Sequence, residues 1–119
     1  MDIKIVYFVS SSGSNPVKDF IDSLEKKQKI KIFHIFKLIL EYGPLSIPQH
    51  IQKLKSTELW EIRVLGKDNI RILFVIPIFE YILLVHGFVK KINKTPLKEI
   101  ETAINRYVDW KNRKISIDK

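Results

Sequence analysis

Apolar positions along this chain follow two periods, and the switches between them mark out the elements. Residues 2–9 (DIKIVYFV) mix alternation with β-branched and aromatic residues and predict a first strand. Val17, Phe20, Ile21 and Leu24 then recur at helical spacing, predicting an amphipathic helix over 16–27 with Asn15 as N-cap and Pro16 at its first position. A second helix is expected over 29–42. Its apolar residues (Ile32, Phe33, Ile35, Phe36, Leu38, Ile39, Leu40) are dense enough to be buried on more than one side, and Tyr42-Gly43-Pro44 ends it. Residues 43–57 read as a loop carrying Pro44, Pro48 and the cations Lys53 and Lys55. Strands follow at 58–65, 69–77 and 80–89, the first two joined as a hairpin by Gly66-Lys67-Asp68-Asn69. Pro77 suits a strand end. The last helix, 96–113, places Leu97, Ile100, Ile104, Tyr107, Val108 and Lys111 on one stripe, with a frayed tail expected from Lys114.

The order β-α-α-β-β-β-α predicts one α+β domain over residues 1–119, two layers deep, with helices against a mostly antiparallel sheet. Hydrophobic residues at 45% and aromatics at 11% fit a globular chain. Asp2 and Lys4 sit too close to the first apolar run for a signal peptide, and no apolar stretch approaches a membrane span. Together with the absence of cysteine, this leads to an expectation of a cytoplasmic protein with no membrane contact. His34, His50 and His86 have no ligand spacing, so neither a metal nor another cofactor is expected.

Charge changes the picture more. The net charge of +8 is uneven: Lys26, Lys27, Lys29, Lys31 and Lys37 form one block without acids, and the lysines from Lys90 to Lys98 form another. Such a domain suits a polyanion such as nucleic acid, or an acidic protein partner.

Candidate chemistry concentrates in the second half. Arg63 and Arg71 lie on neighbouring strands of the hairpin. A connection of three or five residues puts them on one face, where they would hold a phosphate between them; an even connection separates them. The alternative is that each pairs with Glu61 or Glu58 at the surface. The apolar run from Tyr81 delivers His86 before a glycine, whose lack of a side chain permits close approach by a ligand or another part of the chain. His86 is either a hydrogen-bonded structural residue or the proton carrier. Phe88 shares its face by strand period and either stacks on a base or joins the core. Lys90, Lys91 and Lys94 follow without an intervening acid, and Thr95-Pro96 then opens a helix whose positive end adds to an anion site. Trp60, alternating with Ile62 and Val64, reads as core. No nucleotide-loop, nucleophile-elbow or zinc-protease motif is present.

LWEIR at 59–63, NIRILF at 69–74 and the HGFVKK…KTP signature at 86–96 resemble the small phage-derived toxins of the HigB-like branch of the RelE/ParE superfamily, and the resemblance covers most of the chain. It implies a RelE/ParE-like fold and the toxin of a type II toxin–antitoxin system: a metal-independent, ribosome-dependent mRNA endonuclease that inhibits translation. The implied partners are a cognate antitoxin of helix-turn-helix type, mRNA on the ribosome, and operator DNA only through the antitoxin complex. The catalytic set would be Arg63 and Arg71 for the phosphorane, His86 for proton transfer, and Lys91 or Lys94 at the leaving oxygen. Lys53, Lys55, Lys67, Phe88 and Lys90 would hold RNA. Several relatives carry a Tyr or a His-Tyr pair near the C-terminus, and the final helix stands in its place here. Two other classes stay open: a ParE-like gyrase inhibitor on the same fold, and a non-enzymatic module binding nucleic acid or antitoxin.

Overall fold

A computed structural model describes residues 2–64, 66, 69–91 and 93–117, with side chains as far as 114. Strand β1 (Lys4–Tyr7) leads into helices α1 (Pro16–Asp22) and α2 (Lys26–Tyr42). A 3₁₀ turn at Pro44–Ser46 follows, then strands β2 (Ile51–Lys53), β3 (Trp60–Val64), β4 (Ile70–Val75) and β5 (Tyr81–Val89), and helix α3 (Leu97–Ile117). The sheet order is β1-β5-β4-β3-β2. β1 runs parallel to β5, and the other three pairings are antiparallel.

The chain is thus α+β, with three corrections to the expected architecture. The loop 43–57 contains an extra strand, β2, too short and too polar (Ile51-Gln52-Lys53) to show in the pattern, so the order is β-α-α-β-β-β-β-α. The helices do not form a single second layer. Val17 and Ile21 of α1 and Ile32, Ile35, Phe36 and Ile39 of α2 pack on Ile62, Ile72, Phe74, Ile82 and Leu84. Ala103 and Tyr107 of α3 pack on Leu73, Val75, Leu83, Val85 and Phe88, on the opposite face. Finally, α3 extends four residues beyond the expected end at 113, to Ile117.

Pro16 starts α1 as expected, but Asn15 makes no side-chain cap and its Oδ1 is buried without a partner. The first helix stops at Asp22 rather than running to 27. The second begins three residues earlier than expected, at Lys26, where the Glu25 amide donates to Gln28 Oε1 at 2.8 Å. Among the described side chains of α3 the buried ones are Ala103 and Tyr107, with Ile100 and Trp110 partly covered, while Leu97, Ile104 and Val108 of the expected stripe are exposed. Trp60 is only half-buried; it stacks on Phe74 and carries the Lys53 ammonium 5.8 Å from its ring centre.

Candidate functional site

Five residues separate β3 from β4, the odd count that places both arginines on one face; Leu65, Lys67 and Asp68 of this turn lie outside the described residues, Lys67 among them as an expected RNA contact. Arg63 and Arg71 are direct cross-strand partners. By the pleat they share the α3 face with Glu61 and Leu73. The Nε of each is buried without a hydrogen-bond partner. Arg71 Nε lies 3.5 Å from Glu61 Oε1, an ion pair whose geometry falls short of a hydrogen bond, and its NH1 donates to the Ile70 carbonyl at 3.0 Å. Arginine does pair with Glu61, but inside the molecule: Glu61 is 1% exposed.

His86 reaches this face through a β-bulge. Leu73 pairs with His86 while Phe74 pairs with Leu84, so Val85 is the extra residue on β5. Strict alternation would have sent His86 to the α1–α2 side with Leu84. With the bulge, Val85 and His86 both face α3. Gly87 points the other way, and a Cβ there would lie 2.4 Å from Phe20 Cδ2. The close approach that the glycine permits is therefore of an α1 ring.

Both nitrogens of His86 are engaged. Nε2 is 3.0 Å from Glu99 Oε1, and Nδ1 is 3.1 Å from Arg106 NH1, which also donates to the Val85 carbonyl at 2.9 Å. A guanidinium only donates, so Nδ1 accepts and the ring proton sits on Nε2, shared with Glu99. Burial pushes the imidazole pKa below its ordinary value; the Glu99 bond opposes this and the Arg106 charge reinforces it. The ring is held neutral, clasping α3 to β5, and the structural reading of His86 describes this arrangement. Phe88 stacks on it with centroids 5.4 Å apart and is 6% exposed, so as placed it offers no face to a base and belongs to the core.

The cationic groups gather where β4, β5 and the following loop meet. Asn69, Arg71, Lys90, Lys91 and Asn93 line a polar cleft of about 180 Å³, and the Lys90 amide bonds the Asn69 carbonyl at its base (2.8 Å). Lys94 is exposed and does not line it. Thr95, next along, donates to Glu61 Oε2 at 2.6 Å. Lys53 and Lys55 lie apart from this group. Lys53 lines a separate, larger cleft of about 560 Å³ with Tyr107 and Lys111 and contacts the Thr57 carbonyl, and Lys55 is an exposed turn residue. The sequence reading missed Glu99 and Arg106, and it missed the buried role of Glu61. A lone acid or base on a helix carries no local signal until the bulge brings His86 to it.

The arrangement can bind an anionic group of phosphate size by two or three cations and two side-chain amides, with one fixed carboxylate behind them. Fold and cleft define a small basic α+β domain with a polar cleft lined by Arg71, Lys90 and Lys91. A profile of phage-derived Gp49-like proteins (DUF891) matches residues 19–108, and the chain belongs to that family, which is associated with RelE/ParE-like toxins. Comparison with curated proteins gives no match. Among the described residues, no helix is long and apolar enough to cross a membrane.

Proposed function

We propose that this protein is the toxin of a type II toxin–antitoxin system, of the HigB-like kind within the RelE/ParE superfamily, and that it cleaves mRNA on the ribosome without a metal. The observation that carries this reading is the cleft where Arg71, Lys90 and Lys91 converge beside the Arg63–Arg71 pair. Metal-free RNA cleavage needs the 2′-OH deprotonated, the phosphorane charge stabilised and the 5′-oxygen protonated. Arg63 and Arg71 supply cations where charge develops, held in advance by the sheet. Lys91, or Lys94 from the rim, serves the leaving oxygen. Both ring nitrogens of His86 are held by Glu99 and Arg106, so His86 acts here through α3 rather than on the substrate, and the 2′-OH proton passes to solvent hydroxide. A cognate antitoxin would neutralise the protein by covering this basic surface.

A second reading rests on the same histidine. With both ring nitrogens occupied, a purely binding role for the cleft needs no proton carrier, and the protein would act by holding RNA or a protein target. Induced expression with mapping of mRNA 5′ ends separates the two. The endonuclease reading expects translation to stop together with new, discrete 5′ ends in coding regions. Arrest with intact mRNA would reject it.

A further inference from the structure

Among the described residues Glu61 is the only charged side chain in the interior, and it is the hub of the cleft's supports. It sits on β3 facing α3, where an apolar side chain would extend the cluster of Leu73, Val75 and Phe88 at lower desolvation cost. Its two oxygens go to two different elements. Oε1 faces Arg71 Nε on β4, 3.5 Å away, and Oε2 takes the Thr95 hydroxyl, 2.6 Å away, at the end of the loop that carries Lys90, Lys91 and Lys94. One carboxylate therefore sets the guanidinium and tethers the lysine loop beside it.

We infer that Glu61 is the positioning residue of the cationic cleft. It fixes the spacing between Arg71 and the lysine loop, and as a built-in counter-anion it restrains the cleft's grip on phosphate. The turnover part of this inference rests on the endonuclease reading; the phosphate part does not. Without the carboxylate, the guanidinium is freed toward the cleft and the local charge rises by one. The anion then binds more tightly but less well placed, so affinity and turnover move in opposite directions. A side chain that merely supported the fold would move both the same way, along with stability.

The test uses the full chain and four variants: Glu61→Gln, Glu61→Leu, Thr95→Val and Thr95→Ser. Inorganic phosphate is the binding probe, followed by titration calorimetry and by the Arg71 Nε–H signal in NMR. Single-turnover cleavage on mRNA-programmed ribosomes reads the chemistry. In Glu61→Gln, phosphate should bind about two- to fivefold tighter, as expected for loss of one nearby opposite charge. Its Nε–H resonance should shift as the facing charge is removed, and cleavage should fall roughly 10- to 100-fold without a rise in KM. Thr95→Val should lose turnover with phosphate affinity little changed, and Thr95→Ser should keep wild-type values. Unchanged or weaker phosphate binding in a folded Glu61→Gln overturns the inference, as does wild-type turnover in Thr95→Val. If Glu61→Gln and Glu61→Leu do not fold, the threonine pair still decides: equal turnover of Val and Ser variants rejects the tether. A wild type that binds phosphate but cleaves nothing defeats the endonuclease reading alone, and the phosphate arm with Glu61→Gln still decides this one.

Discussion

Arg63 and Arg71 face each other directly across the β3–β4 ladder, yet among the described residues only Arg71 has an internal counter-charge, Glu61 Oε1 at 3.5 Å. Two like charges opposite each other are unfavourable on a sheet, so the two substitutions to alanine are not equivalent.

Arg63→Ala should remove activity and leave stability within about 0.5 kcal/mol, because it relieves repulsion at a half-buried position. Arg71→Ala should also remove activity, but it strips a buried carboxylate of a partner and should cost about 1–3 kcal/mol. Urea melts of the two variants, with growth arrest as the activity readout, check this. Equal stabilities would mean that the Glu61–Arg71 pairing does not hold in solution.

The bulge predicts a steric result. Gly87→Ala places a methyl group 2.4 Å from Phe20 Cδ2 and should cost about 1–3 kcal/mol by overpacking. Phe20→Ala in the same chain should recover part of that loss although it empties space elsewhere. A double variant whose loss equals or exceeds the sum of the singles in a thermodynamic cycle would contradict this packing.

His86 gives a pH dependence with a definite sign. Its pKa is depressed in the folded chain, so the unfolded chain binds more protons as pH falls below the ordinary histidine value of about 6.5. The stability supplied by the neutral ring is therefore fully present above that value and is lost progressively as pH drops from it toward the folded pKa. Between about pH 6.5 and 5, above the usual carboxylate range, the urea midpoint should fall in the wild type and fall less in His86→Gln. Identical slopes would show that the Arg106–His86–Glu99 clasp does not govern the titration.

Most of the secondary structure was legible in the sequence, because helical and strand periods are set by burial on one face. The pairing of Arg63 with Arg71 was legible conditionally, through the parity of a five-residue connection. Three things were not. β2 is three residues on a sheet edge, too short to show a period. The opposite placement of α3 did leave a trace: Ile82-Leu83-Leu84-Val85 is apolar on both strand faces, as a strand covered on both sides must be, but read alone it fits any buried strand. The bulge at Val85 was silent. It decides which way His86 faces, so the histidine's true partners, Glu99 and Arg106, could not be found from spacing alone.

The central claim is that cations on this sheet assist attack by the RNA's own 2′-hydroxyl. The direct measurement places a single 2′-deoxynucleotide at a mapped cut site in an mRNA held on the ribosome and follows the purified protein's cleavage there. Unmodified RNA should yield a 2′,3′-cyclic phosphate upstream and a 5′-hydroxyl downstream, and the deoxy substitution should block the cut. Cleavage at the 2′-deoxy position, or a 5′-phosphate on the downstream product, would contradict it, since both need a water or another external nucleophile.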